Sequence, residues 1–586
     1  MIKLIEGRGW QGLPQISKHM YQDTYFLADE DYDQWVERIT TAYSNDVNHK
    51  AIVSTLIKNY YFHPSTPPSS NGGTDRGLPI SCYVGDVHDS KKGIFASWNE
   101  ACWLGAMAGG IGRNWSAVRE LGAKVSDIGS SSGIIPFMHV DNALSLAIAQ
   151  GGIRRMSQAD YLKDSHPEIE EFIDIRKPTG DANRRSHSLH HGVVISDALL
   201  NAAIKDEDWP LISPKTKKVT STVKAKTLWH KILEQRTSTG EPYIMFYDNV
   251  NHKRPEEYKT LGLTIELTNL CTEIFLNTSP EKTNVCCLSS LNLEYWDEYR
   301  DSLDIVIPAV IDFLDNILQD FINKTENMEG FANARNAAIE ERALGLGVMG
   351  FHSLLQKKSI PFESAMASGI NQNIFKLIRE HTEKHQLALN QPCPLAKKAG
   401  THRRNIVSLA IAPTMSISNL CGFTSSGIEP LDSNAFTKKL KQGSFPIVNK
   451  FFLKVLTDHA EANGLDADWI DAQLTSVKKN EGSVQHLEWL SSHNKDVFKT
   501  CFEIDQRWII DHAATRGDYI DQGQSVNLFL YGNSHVQDIA DLHIYAWRRG
   551  LKSLYYLRSK NPERASSSST TRKVIETTYD ECLSCQ

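Results

Sequence analysis

The sequence predicts an α/β fold in which buried strands alternate with covering helices, and three observations carry that reading. The chain has 586 residues, 41% of them hydrophobic, enough to bury a large core. Stretches such as IPAVIDFLDNILQDFINK repeat their apolar residues at the helical period. Between such stretches stand short apolar runs, among them NIVSLAIAP and HGVVISD, of the kind that form strands covered on both faces. No run of eighteen apolar residues occurs, and MIKLIEGRGWQGLPQ lacks a charged-then-apolar leader pattern, so a cytoplasmic address is expected.

Taken in order, residues 1–62 read as an N-terminal helical region, with charged and apolar residues interleaved in DEDYDQWVERITTAY. The stretch from His63 to Pro79 holds four prolines and three glycines and reads as a loop. Residues 63–560 then form the main body, the alternating pattern running from Ile80 to Leu557 without a short-period repeat. Residues 561–586 are rich in Ser and Thr, cannot build a core, and read as a flexible tail. A net charge of −7 gives no sign of a general affinity for nucleic acid or anionic membrane, although anionic small molecules could still meet local basic residues. Ten cysteines are too sparse for a disulfide scaffold in so long a chain, which leaves redox or catalytic work for some of them. Cys582 and Cys585 form a C-x-x-C without a second pair or a histidine motif nearby, so no structural metal site is expected.

In LTNLCTEIFLN, Asn269, Cys271 and Glu273 fall at i, i+2 and i+4. An extended segment would turn this amide, thiol and carboxylate to one face, whereas a helix would scatter them. By itself the segment is equally a strand with one buried cysteine. Thr414, Ser416 and Ser418 follow a proline in PTMSIS, where short hydroxyl residues and free backbone N–H groups at a helix start make either an anion site or a simple cap. Cys286 and Cys287 adjoin, and on a strand only one of them can face a given partner.

NLCTEI resembles the finger-loop motif of the ribonucleotide reductases. Further motifs follow in the order expected of that family: LPISCYVGD for the first redox cysteine, NVCCLSSLNL for the second, APTMSISNLCGFTSSGIEP for phosphate binding and SLYYLRS for a tyrosine pair. Five ordered motifs, spread from Thr66 to the C-terminus, are far more specific than one. The resemblance is to the class I large, catalytic subunit, and it implies a ten-stranded α/β barrel around a central finger loop. The implied activity is reduction of ribonucleoside diphosphates to 2′-deoxyribonucleoside diphosphates, coupled to thioredoxin or glutaredoxin.

By that resemblance Cys271 carries a thiyl radical that removes the ribose 3′ hydrogen. Glu273 takes the 3′-hydroxyl proton and Asn269 holds a substrate hydroxyl. Cys82 and Cys286 supply two electrons and become a disulfide; Cys286 is chosen over Cys287 because the family's C-x-L-S pattern reads onto Cys286 to Ser289. Thr66 and Ser81 touch the substrate, and Thr414, Met415, Ser416 and Ile417 hold its diphosphate, Ile417 through its backbone because a hydroxyl residue is usual there. Tyr555 and Tyr556 pass an electron and a proton toward Cys271. Asp89 would hold the sugar and Arg119 the phosphates of a nucleoside triphosphate effector, dNTP or ATP with Mg2+. The loop bearing Gly151, Gly152, Arg154 and Arg155 would report the effector's identity to the substrate, with Met156 where a small residue is usual. Cys582 and Cys585 would shuttle electrons inward.

The implied partners are a second copy of the chain and a dimetal, radical-generating small subunit. No room is left ahead of the first helical region for the ATP-cone that some members carry. Two rivals share the resemblance. An adenosylcobalamin-dependent reductase of the same fold would not need Tyr555 and Tyr556, and a catalytically silent, effector-binding homologue would not need Cys82, Cys271, Cys286 and Glu273.

Overall fold

The structure, a computed structural model, describes residues 7–126, 129–150, 154–440 and 443–560. Nine strands form its main sheet: β1 (Phe62–Pro64), β2 (Cys82–Asp86), β3 (Gly110–Asn114), β4 (Ser157–Lys163), β5 (His190–Ile195), β6 (Tyr243–Phe246), β7 (Asn284–Asn292), β8 (Leu344–Met349) and β9 (Ser553–Leu554). From β2 through β3, β4 and β5 to β6 every pairing is parallel. β7 runs antiparallel beside β2 and parallel beside β8, and β9 closes antiparallel on β6.

Ten strands were expected, whereas nine pair as a continuous sheet. The run NIVSLAIAP, expected as a strand, contributes single bridges only, Leu346 to Leu409 and Ile411 to Gln524. With the Tyr555 N–H donating to the Val526 carbonyl, these links carry hydrogen bonding round from β8 to β9 and curl the sheet about a central space.

Side chains along the parallel strands alternate between two apolar clusters. Val84, Ala159, Tyr161, Val194, Tyr243 and Met245 belong to an inner cluster, while Tyr83, Leu162, Val193, Ile195, Ile244 and Phe246 belong to the outer one. That is the period of two expected of a sheet buried on both faces, and it accounts for the consecutive apolar residues Val193 to Ile195 of β5 and Tyr243 to Phe246 of β6.

Helices cover the outside. The N-terminal pair, α1 (Tyr32–Tyr43) and α2 (Val47–Lys58), and the long α5 (Leu303–Lys324) share the outer cluster with the sheet, as do α3 (Lys91–Ala106) and α4 (Ile135–Ala147). α1 starts at a capping box in which the Gln34 N–H donates to the Asp31 carboxylate and the Asp31 N–H donates to the Gln34 side chain, satisfying two otherwise orphaned donors. Trp35, Val36, Ile39 and Tyr43 form its buried face.

The expected loop from His63 to Pro79 is more ordered than its composition suggested. β1 occupies its first residues, and a buried helix spans Thr66–Asn71 with prolines in its first turn. Proline suits that turn because those N–H groups have no partner within the helix.

Candidate active site

The segment 263–277 leaves regular structure and runs into the space enclosed by the sheet. It is a turn and not the extended segment the i, i+2, i+4 spacing suggested. Thr272 has φ +67, and the Asn269 side-chain oxygen accepts the backbone N–H groups of both Glu273 and Ile274 at 3.0 Å. The side chain of Asn269 thus builds the tip and, with Thr268 donating to the Ile274 carbonyl at 2.9 Å, ties its two limbs together. The spacing misled because a polar side chain that bonds its own backbone competes with extended structure.

The sheet grips this tip. Tyr161 donates to the Asn269 carbonyl at 2.7 Å, Ser525 to the Cys271 carbonyl at 2.6 Å and Ser553 to the Thr272 carbonyl at 2.8 Å. Gly112 on β3 is required by closeness alone, since a Cβ there would stand 2.3 Å from the Thr268 carbonyl oxygen.

At the tip Cys271 is fully buried and the Tyr555 hydroxyl lies 3.5 Å from its sulfur. The rings of Tyr555 and Tyr556 have centroids 4.3 Å apart, and Tyr243 of β6 packs on both, at 4.8 and 5.0 Å. The Tyr556 hydroxyl is 3.5 Å from His190 Nδ1, and that nitrogen is 2.6 Å from the buried Glu241 carboxylate. Burial works to raise Glu241, but Arg176 and His190 outweigh it and hold the carboxyl well below its usual range.

Cys82 on β2 and Cys286 on β7 are register partners across an antiparallel pairing, and both belong to the inner cluster with Cys271. Cys287 points the other way, into the outer cluster. The Asn269 amide nitrogen stands 3.8 Å from the Cys82 sulfur, and the Gln522 amide nitrogen 3.2 Å from the Cys286 sulfur. Burial pushes the Cys286 thiol well above its usual range, which keeps it protonated at neutral pH. Glu273 is fully buried and accepts from Ser525 at 3.1 Å.

Thr414, in left-handed backbone geometry, is the N-cap of the short helix Met415–Leu420. Its hydroxyl accepts the Gly427 N–H at 2.6 Å, folding the two halves of the expected phosphate-binding stretch together. Met415 and Ser416 are half-buried, and Ile417 packs into the outer cluster. Thr66 lies 3.1 Å from the Tyr25 hydroxyl, and the Ser81 carbonyl accepts the Gly110 N–H at 2.6 Å.

Asp89 and Arg119, thirty residues apart, bond to each other. The guanidinium Nε contacts both carboxylate oxygens at 2.9 and 3.0 Å, and the Arg119 N–H adds a third contact at 3.2 Å. Of the expected effector-reporting loop, Gly151 and Gly152 lie outside the described residues, while Arg154 and Arg155 form a two-residue strand opposite Ala149–Gln150. Met156 has its own complement in Gly105 of α3, where a Cβ would come within 2.7 Å of the methionine side chain. Cys582 and Cys585 lie outside the described residues. Gln522, Ser525, Tyr243 and the His190–Glu241 pair escaped the sequence reading. The dense polar run DQGQSVN in an otherwise apolar stretch was the one signal for the first two.

A curled α/β sheet closing on three buried thiols, a carboxylate and a tyrosine pair defines a thiol-dependent oxidoreductase barrel. The chain belongs to the ribonucleotide reductase family: the family model for the ribonucleotide reductase barrel domain matches residues 80–404 and 395–557. Among curated relatives it is 39% identical over 515 residues to a putative ribonucleoside-diphosphate reductase large subunit of Frog virus 3, covering 88% of each chain. It is 34% identical to the ribonucleoside-diphosphate reductase large subunit of Invertebrate iridescent virus 3, covering 90% of this chain and 91% of that one. Among solved structures it superposes on the Actinobacillus ureae class Id ribonucleotide reductase alpha subunit with a TM-score of 0.83 at 32% identity, over 96% of this chain and 99% of the other.

Proposed function

We propose that this chain is the catalytic subunit of a class I enzyme that reduces ribonucleoside diphosphates to their 2′-deoxy forms. The contact chain Tyr556, Tyr555, Cys271 beside the facing pair Cys82 and Cys286 carries the reading. Tyr555 takes a hydrogen atom from Cys271, and the resulting thiyl removes the ribose 3′ hydrogen. Glu273, held by Ser525, accepts the 3′-hydroxyl proton as the 2′-hydroxyl leaves as water. Cys82 and the protonated Cys286 then deliver two electrons and two protons and join as a disulfide, and Cys271 returns the 3′ hydrogen. The oxidising equivalent comes from a separate radical-generating subunit, because the tyrosine pair makes a route from outside the barrel.

Four further assignments belong to the same reading. The stretch from Thr414 to Ile417, with Thr66 and Ser81, holds the substrate. Asp89 and Arg119 exchange their mutual pairing for a nucleotide effector, and the segment 151–155 relays it. The exposed Phe95 and Trp103 of α3 and Leu146 of α4 are apolar surface suited to a second copy. The tail cysteines Cys582 and Cys585 bring electrons from a thioredoxin-like protein to the disulfide. Among the described residues no helix is long and apolar enough to cross a membrane, which suits a cytoplasmic enzyme.

Incubating the purified chain with a ribonucleoside diphosphate, an effector, a dithiol and a candidate small subunit tests the proposal. Deoxyribonucleotide should form only with the small subunit present. Formation with adenosylcobalamin alone refutes it.

A further inference from the structure

We propose that Gln522 makes the Cys82–Cys286 disulfide directional, so that an incoming reductant attacks Cys82 and Cys286 leaves as the thiolate. The inference rests on the reading of these two cysteines as the redox pair and adds to it a residue with a defined task.

The carboxamide of Gln522 is buried and its orientation is over-determined. Its oxygen accepts the Phe275 N–H from the outgoing limb of the central loop at 3.2 Å, and its nitrogen donates to the Leu344 carbonyl of β8 at 2.8 Å. A flipped amide would oppose donor to donor and acceptor to acceptor, so both contacts agree on one arrangement. That arrangement turns an N–H toward the Cys286 sulfur at 3.2 Å. Gln522 is itself anchored: its N–H donates to the Leu409 carbonyl at 3.1 Å, and its carbonyl accepts from the buried Lys552 ammonium.

The two sulfurs therefore differ. Cys82 has the Asn269 amide nitrogen at 3.8 Å, a longer contact from a side chain whose oxygen is committed to the loop tip. In a closed apolar pocket a leaving thiolate is costly unless a donor is already aimed at it, and a hydrogen bond to a charged acceptor is about twice as strong as a neutral one. Burial opposes charge on Cys286 and Gln522 counters it.

In the exchange, a thiolate of the reducing dithiol attacks the Cys82 sulfur. The bond between Cys82 and Cys286 breaks as the bond between reductant and Cys82 forms. Cys286 departs with the electron pair, accepts the Gln522 N–H, and is then protonated. The second thiol of the reductant, as its thiolate, attacks the mixed disulfide and releases Cys82, which is protonated in turn. Two electrons and two protons pass from the dithiol to the pair.

The test uses the full chain carrying Cys582→Ser and Cys585→Ser, so that only an added thiol can attack. After one turnover with the small subunit, peptide mapping should find Cys82 joined to Cys286. Its absence overturns the redox-pair reading on which the inference rests. Glutathione is then added, the reaction is acid-quenched, and the glutathionylated peptide is identified. Glutathione on Cys82 supports the proposal; glutathione on Cys286, or on both equally, overturns it while leaving the redox pair intact. In Gln522→Glu, which keeps the acceptor for Phe275 but removes the donor, the preference for Cys82 should vanish and mixed-disulfide formation should slow on the order of tenfold. Gln522→Met serves where the carboxylate prevents folding. An unchanged preference in a folded variant overturns the role of Gln522.

Discussion

The loop tip at Cys271 and the surface pair Asp89–Arg119 are built on opposite principles. At the tip every backbone carbonyl from Asn269 to Glu273 other than that of Leu270 accepts a hydrogen bond from a named group: Tyr161, Ser525, Ser553 or the Gly523 N–H. The reacting groups are fully buried. Asp89 and Arg119 are partly exposed, at 23% and 17%, and bond to each other, so an effector at the proposed site would first have to part them. Radical chemistry needs fixed distances and exclusion of water, which favours the first design. Control by a small molecule needs an arrangement that a modest binding energy can shift, which favours the second.

The comparison breaks first at the sulfur. Cys271→Ala should abolish product formation while effector binding and the thermal midpoint stay near wild type, because one atom with a unique reactivity is lost and little packing with it; turnover above background would remove Cys271 from the mechanism. Tyr556→Phe should also stop turnover, since the ring keeps its packing on Tyr243 and Tyr555 but loses the hydroxyl, and full activity would return the cobalamin rival to consideration.

Ser525→Ala removes one donor from both the Cys271 carbonyl and the Glu273 carboxylate. A fall of about 10–100-fold in kcat with little change in KM is expected, in keeping with one or two lost hydrogen bonds at a buried charge. Equal activity in steady-state assays would mean that Glu273 is positioned by other groups.

The scaffold should fail with acid. Burial lowers His63, His166 and His512 from 6.5 to about 4, so the unfolded chain takes up these protons before the native one does. The stability they contribute is present above pH 6.5 and is lost as pH falls through about 4. A drop of roughly 5–10 °C in the thermal midpoint across that window is expected, and a flat profile in calorimetry would contradict it. The smallest effect on stability belongs to Arg119→Ala. A partly exposed pair contributes less than about 1 kcal/mol, so the midpoint should hardly move while the dependence of substrate choice on added dNTP disappears. A retained effector response in filter-binding and activity assays would place the site elsewhere.

Strand alternation said ahead of the structure only that one of Cys286 and Cys287 could face Cys82; the choice of Cys286 came from the resemblance, and the structure sets Cys286 opposite Cys82 on β7 with Cys287 on the other face. The helices of the N-terminal region were legible from their period. The stretch from His63 to Pro79 was misjudged because proline marks a helix's first turn as readily as a loop. The run Asn405 to Pro413 was misjudged because its apolar character reports burial, and a buried segment held by single bridges looks the same in sequence as a ladder.

Sequence by itself determined which atoms are available for chemistry: the thiols, the carboxylate and the adjoining phenols are covalent facts, and their motifs keep a recognisable order along the chain. Tertiary structure alone decided how they are held. Gln522, Ser525 and Tyr243 lie hundreds of residues from some of the groups they touch, and their contacts exist only because the sheet curls and the central loop enters it. A hydrogen bond depends on separations of a few ångströms in space, and linear spacing constrains such separations only within one helix or strand.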